Sequence, residues 1–193
     1  MTGIRSLPLL PLLTGALLLA WPLLIGFGLA HNGLPWLLPM MALLLLLRLR
    51  QTRRQSGPLR VVTRTVALAG IALCAGSYLL KTHQLLLFYP VVVNAAMLAV
   101  FGGSLWSTMP LVERLARLRE PDLPSAAIRY TRRVTQAWSL FFIFNGSVAL
   151  FTALHGDMAL WTLWNGTIAY LLMGTLMATE WWIRRRIIKR NAP

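Results

Sequence analysis

Long apolar runs alternate with short polar breaks along this chain, and the breaks differ sharply in charge. Apolar residues dominate positions 9–30, 34–49, 61–80, 85–108, 136–154 and 158–182. A helix needs ~20 such residues to cross ~30 Å of hydrocarbon. The pattern predicts an all-α polytopic membrane protein, with six transmembrane helices forming a single transmembrane domain over 1–193. The second run is short, so it spans with Arg48 snorkelling to the interface. Pro11 and Pro22 fall inside the first run, and Pro22 removes a helical donor and predicts a kink. Tyr89-Pro90 stands near the start of the fourth.

Residues 109–134 break the pattern. Leu111, Val112, Leu115 and Leu118 recur at helical spacing, with Arg114, Arg117 and Arg119 on the other side. Pro121 and Pro124 end that helix, and a second short helical stretch carries Arg129, Arg132 and Arg133. This predicts a cytoplasmic interfacial amphipathic helix between the fourth and fifth spans. Its leucines would sit among acyl chains and its arginines among anionic headgroups. The plainer alternative is a basic loop, the rule on one side of a bilayer.

Charge orients the predicted spans. Eighteen of the 19 Lys and Arg residues fall at the N-terminus, in the second and fourth connections and in the tail. Only Lys81 falls on the other side. The positive-inside rule places both termini in the cytoplasm, which in a bacterium means the inner membrane. Tryptophans are expected to mark both interfaces: Trp36, Trp161 and Trp164 outside; Trp106, Trp138, Trp181 and Trp182 inside.

Composition agrees with this picture. The chain is 57% hydrophobic and 12% charged, more apolar than a soluble domain of this length hides. Its net charge of +14 sits in blocks at the ends of apolar runs, which favours orientation in a membrane over nucleic-acid binding. The lone cysteine, Cys74, excludes a disulfide within one chain. Residues 1–30 resemble a signal peptide ending at Gly28-Leu29-Ala30, but the apolar part exceeds the usual ~7 to 15 residues and the start is weakly cationic. That segment is expected to remain as a span.

Few polar residues lie within the spans. Asn94, Asn145 and Asn165 are one each in the fourth, fifth and sixth. An amide in hydrocarbon needs a partner, so these either join helices or line a polar cavity. Glu180 lies four residues before Arg184, a spacing that suits an ion pair. No carboxylate lies near a predicted midplane, which argues against a proton-coupled carrier. His31, His83 and His155, with Asp157, fall in the outer loops without local metal-ligand spacing, so no metal and no cofactor are expected. No nucleophile–base set or phosphate-cradling loop appears, so no enzyme is expected. Small pairs at Ala72/Gly76, Ala99/Gly103 and Gly174/Ala178 suggest close helix packing.

The run Met109 to Phe151 resembles the second half of the intracellular septation protein A family. A proline–hydrophobic–basic stretch, a Leu-Pro and an Ala-Trp-x-x-Phe-Phe-x-x-x-Gly segment occur there in this order. The matching positions are Pro110, Leu111, Leu123, Pro124, Ala137, Trp138, Phe141, Phe142 and Gly146. Met109 and Thr135-Gln136 depart from that family's basic residue and asparagine. Residues 85–190 are also similar to inner-membrane proteins encoded with aryl polyene or xanthomonadin-type lipid pigment genes. Tyr89, Pro90 and Asn94 match there, as do the RLxREPDLP, RYTRRVTxxW and FNG stretches and Glu180, Trp181 and Arg184 to Arg186.

The resemblance implies a multi-pass inner-membrane protein of envelope lipid balance, elongation and division, with no established enzyme. The expected function is a non-enzymatic accessory protein. Its arginine face (Arg114, Arg117, Arg119, Arg129, Arg132, Arg133) would bind anionic lipid or dock an envelope-synthesis partner such as an acidic acyl carrier protein. The alternative is a transporter or flippase for a lipid or polyene, its path lined by Asn94, Asn145 and Asn165. An intramembrane acyl- or headgroup-transferring enzyme ranks third, for want of a nucleophile.

Overall fold

Prolines open helices in this chain, and a Gly-Asp pair ends one helix and caps the next. Pro lacks the N–H that a first helical turn leaves unpaired, so it fits there without loss. The computed structural model describes residues 17, 20–30, 34–52, 58–82, 84–118 and 120–190. Within these, α1 is Trp21–Ala30, α2 is Leu34–Gln51 and α3 is Pro58–Leu79. A 3-10 turn, Gln84–Phe88, leads into α4, Tyr89–Ser104, with Pro90 in its first turn. Then come α5, Leu111–Arg117, after Pro110, and α6, Ser125–His155, after Pro124. A short α7, Met158–Leu163, runs through a π-helical turn, Trp164–Ile168, into α8, Ala169–Arg190.

Gly156 closes α6 at φ 78°, a left-handed conformation glycine takes without penalty, and its N–H donates to Thr152 O. Asp157 then caps α7. Its Oδ1 accepts from Ala159 N at 2.8 Å and Leu160 N at 3.1 Å. Asp157 thus serves as a cap, while His155 stacks on Phe151 with ring centroids 5.6 Å apart. His31 and His83 lie outside the described residues.

The core gathers where α1 meets α2 and α7. Trp21, Ile25, Met41, Leu45, Leu86 and Trp161 are buried there together. From this end α2 packs on α3, α3 on α4, and α4 along α6. Close approach depends on glycine. A Cβ on Gly146 would lie 3.1 Å from Asn94 Cβ, and one on Gly70 would lie 2.7 Å from Leu45 Cδ1. Of the small residues expected to do this, Gly76 does, since a Cβ there would lie 2.9 Å from Leu85 Cδ1, and the others do not. Gly103 and Gly174 face open space, and Ala72, Ala99 and Ala178 are exposed.

The surface is inverted relative to a water-soluble protein. On α6 the buried positions include Thr131, Thr135, Ser139, Asn145 and Thr152, while Leu140, Ile143, Phe144 and Phe151 are exposed. The buried hydroxyls return to their own helix, as Thr135 Oγ1 does to Thr131 O at 2.9 Å and Ser139 Oγ to Thr135 O at 2.8 Å. Polar groups inside and hydrocarbon outside is the arrangement lipid demands. The chain is an all-α, multi-spanning membrane protein.

The expectation of six spans is overturned. Among the described residues, three helices are long and apolar enough to cross a membrane: Arg60–Leu79, Gln84–Ser104 and Ser125–His155. The start of the expected first span lies outside the described residues, and the described α1 has only 10 residues. The second, α2, is 18 residues long, with Arg48 and Arg50 in its last turn. The sixth is interrupted by the π turn and diluted by Asn165, Gly166, Thr175 and Thr179 before its charged end.

The expected interfacial helix also changes character. α5 has only seven residues and packs on α6, turning Leu111 and Glu113 inward; Leu115 and Leu118 stay exposed. The second basic stretch is not a separate helix but the first turns of α6, which runs unbroken for 31 residues. Trp161 is another difference. Expected at an interface, it is fully buried at 0% exposure, with Nε1 donating to Leu87 O at 3.0 Å. Trp36, Trp106, Trp181 and Trp182 are exposed.

Candidate functional site

One cavity of about 440 Å³ opens between α1, α2, α3, α4, α6, the π turn and α8. Most of its wall is hydrocarbon and aromatic, from Val62, Val66, Val93, Met97, Phe101, Trp138, Phe142 and Met173. Its polar lining includes Arg48, Asn94, Asn145, Asn165, Thr63, Tyr89 and Tyr170. A volume of this size with a few placed polar groups is the usual form of a small-molecule site.

All three asparagines of the spans line this cavity. Two of them join helices through a chain of donors. The Trp164 indole N–H donates to Asn145 Oδ1 at 3.1 Å. Asn145 Nδ2 donates to Asn94 Oδ1 at 3.0 Å. Asn94 Nδ2 donates to Pro90 O at 2.8 Å. The chain ties the π turn to α6 and α6 to α4. In a low-dielectric site such a row holds its members in one orientation. Asn94 and Asn145 thus act as glue and lining at once.

Asn165 differs. It is 3% exposed, and its Nδ2 donates to Trp161 O at 3.0 Å and Thr152 Oγ1 at 3.2 Å. Its Oδ1 has no hydrogen-bond partner. A buried amide oxygen left without a donor costs about 1–3 kcal/mol. Asn165 sits in the π turn, a local widening that recurs at functional sites. Gly166 beside it lets α1 close over the turn, since a Cβ there would lie 2.7 Å from Leu23 Cδ2.

Arg48 is the cation of the cavity. It shares a helix face with Met41 and Leu45, both fully buried. Among the described residues it has no ion pair and no hydrogen bond. Read from sequence it was an interfacial anchor at the end of a span. The available signal was its spacing: positions 41, 45 and 48 follow one inward stripe, whereas Arg50 points out and is exposed. Tyr89, Trp138 and Tyr170 also line the site, and no polar pattern in the sequence singles them out.

The arginines of the basic connection do something more local than expected. Arg114 donates from Nε to Met109 O at 2.8 Å and from Nη2 to Ser107 Oγ at 3.0 Å. Arg117 pairs with buried Glu113 at 2.9 Å and donates to Pro121 O at 2.8 Å. Arg132 reaches Leu105 O at 3.1 Å. Three of the arginines therefore fix the turn between α4 and α6 by satisfying loop and helix-end carbonyls. Arg129 and Arg133 are exposed and bond to nothing among the described residues; Arg119 lies outside them. Glu180 takes the Tyr130 hydroxyl rather than Arg184, with 3.0 Å to its backbone O and 3.5 Å to Oε1. Among the described residues no group of three metal-ligating side chains converges. No family model matches the chain, and neither a curated protein nor a solved structure matches it.

Proposed function

We propose that this chain is a bacterial inner-membrane binding protein that holds an amphiphilic molecule, a lipid or polyene, inside its helical bundle, and that it does so without catalysing a reaction. The observation that carries the reading is the cavity of about 440 Å³ with hydrocarbon walls, three amides and one arginine. A protein that only braced the membrane would gain by filling such a space, because an unfilled cavity forfeits packing. Release of the ligand to one leaflet would make the protein a carrier.

The test is extraction into polymer nanodiscs, with mass spectrometry of co-purified amphiphiles. Val66 lines the cavity, and Val66→Trp should fill it. The expected result is an amphiphile enriched with the natural protein and lost from the variant. Equal recovery from both would remove the reading.

The exposed Arg129 and Arg133 favour an accompanying contact with anionic headgroups. Docking of an acidic acyl carrier protein rests on the same pair, since Arg114, Arg117 and Arg132 are engaged with the chain's own carbonyls. Neutralising Arg129 and Arg133 should weaken vesicle binding most when the vesicles carry phosphatidylglycerol. Unchanged binding would leave those arginines without a role.

A further inference from the structure

We infer that the cavity selects a two-ended ligand: an amphiphile with an anionic group for Arg48 and a hydrogen-bond donor for the Asn165 amide oxygen. This rests on the amphiphile-binding reading and specifies its chemistry.

Two features of the cavity are incomplete, and they ask for opposite things. Arg48 supplies up to five N–H donors, and no carboxylate among the described cavity residues answers it. A guanidinium held against hydrocarbon recovers its lost hydration best from a carboxylate or a phosphate, which it binds bidentately. Asn165 Oδ1 supplies the reverse need, a buried acceptor with no donor. Its amide cannot simply turn over, because Nδ2 is fixed by Trp161 O at 3.0 Å and Thr152 Oγ1 at 3.2 Å, both of which accept from it. The oxygen is therefore held in one orientation within a residue that lines the cavity, and a ligand hydroxyl, phenol or amide N–H that reached it would supply the missing donor.

Asn94 and Asn145 do not compete for this role. Their oxygens already accept, from Asn145 Nδ2 at 3.0 Å and from Trp164 Nε1 at 3.1 Å. The wall around these groups is apolar, from Val66, Met97, Phe101 and Phe142. A hydrocarbon or conjugated chain suits that wall, and a sugar or peptide would leave its own polar groups unpaired there. A pure hydrocarbon would leave both Arg48 and Asn165 unanswered.

The experiment uses the whole chain in phosphatidylcholine nanodiscs, titrated by tryptophan fluorescence, since Trp138 lines the cavity. The probes are a graded series of ω-hydroxy fatty acids. Each is matched with its methyl ester, which removes the anion, and its ω-methoxy acid, which removes the donor. An alkyl phosphate arm separates the two anion sources; tight binding of either anion supports the inference, and the tighter names the source. Esterification should weaken binding at least about tenfold, and methylating the hydroxyl about fivefold. The ester effect should disappear in Arg48→Gln and the methoxy effect in Asn165→Leu. The ligand-side changes need no variant, so a misfolded Asn165→Leu leaves the test standing. Equal binding of acid, ester and ether overturns the two-ended site and leaves the amphiphile reading intact. Absence of binding by every probe overturns both.

Discussion

Helices α6 and α8 carry similar residues and behave in opposite ways. Over its 31 residues α6 turns Thr131, Thr135, Ser139, Asn145 and Thr152 inward and Leu140, Ile143, Phe144 and Phe151 outward. Over most of its 22 residues α8 shows its apolar surface to the outside, with Leu171, Leu172, Met177, Trp181 and Trp182 exposed. Its exposed threonine hydroxyls return to their own helix: Thr175 Oγ1 to Leu171 O and Thr179 Oγ1 to Thr175 O, both at 2.8 Å. In lipid, apolar faces do not drive helices together, because acyl chains solvate them as well as leucine does. What holds α6 against α4 is the inward amide pair, the glycine that lets it close and the ring contact of Phe142 with Phe101. α8 meets the bundle at its first turns, where Ala169 is buried, and again at Glu180.

The largest expected effect follows from the amide pair. Asn145→Leu removes both partners at once, leaving Asn94 Oδ1 without its donor and Trp164 Nε1 without its acceptor. Each orphaned group costs about 1–3 kcal/mol, so the bundle should lose about 2–6 kcal/mol. Unfolding in mixed micelles measures it. A loss below about 0.5 kcal/mol would mean that lipid or water replaces these bonds and that α6 is held otherwise. Replacing both Asn94 and Asn145 by leucine should recover part of the loss, since no half of the pair is then left unpaired.

A smaller effect belongs to α8. Tyr130→Phe deletes the bond to Glu180 O at 3.0 Å. One neutral hydrogen bond is worth about 0.5–1.5 kcal/mol, and the variant should lose about 1 kcal/mol. The readout that separates the helices is hydrogen exchange. Amides near Glu180 should exchange faster while those of α6 around Asn145 hold. Uniform change over both helices would mean that α8 is held along its length.

These same residues mark what a sequence can disclose here. Asn94 and Asn145 stand 51 positions apart and are bonded at 3.0 Å. Polarity inside an apolar run singles out each of them, because lipid leaves an amide no other partner. Direction is harder to read. Nothing in composition says that Asn165 keeps a free oxygen while Asn145 does not, since that depends on Trp164 and Thr152 arriving from two elements. Arg48 and Arg50 look alike in the chain, yet 100° per residue separates a cavity cation from a surface one. The connection misled for a related reason. Leucine and arginine spacing describes an amphipathic helix, but Pro110 and Pro124 set its bounds, and the carbonyls of Leu105, Met109 and Pro121 draw three arginines back onto the protein. Counting spans by apolar length overshot because prolines, arginines and the Trp164–Ile168 turn interrupt runs that composition alone reads as whole.

The smallest expected effect is the sharpest test of the contrast between the two helices. Leu171 on α8 is 66% exposed and Phe142 on α6 is 5% exposed, in ring contact with Phe101 at 5.3 Å. In water both would be read as apolar contributors. In lipid only the second has protein on its far side. Leu171→Ala exchanges contact with acyl chains in the bundle for the same contact in the unfolded state, so its stability should change by less than about 0.5 kcal/mol. Phe142→Ala leaves a space between α4 and α6 and should cost about 3 kcal/mol or more. Run in the same micelles, the pair isolates packing from hydrophobicity, because both substitutions remove hydrocarbon. A loss above 1 kcal/mol from Leu171→Ala would place protein rather than lipid against that face of α8, and the inverted surface of the bundle would then end at α6.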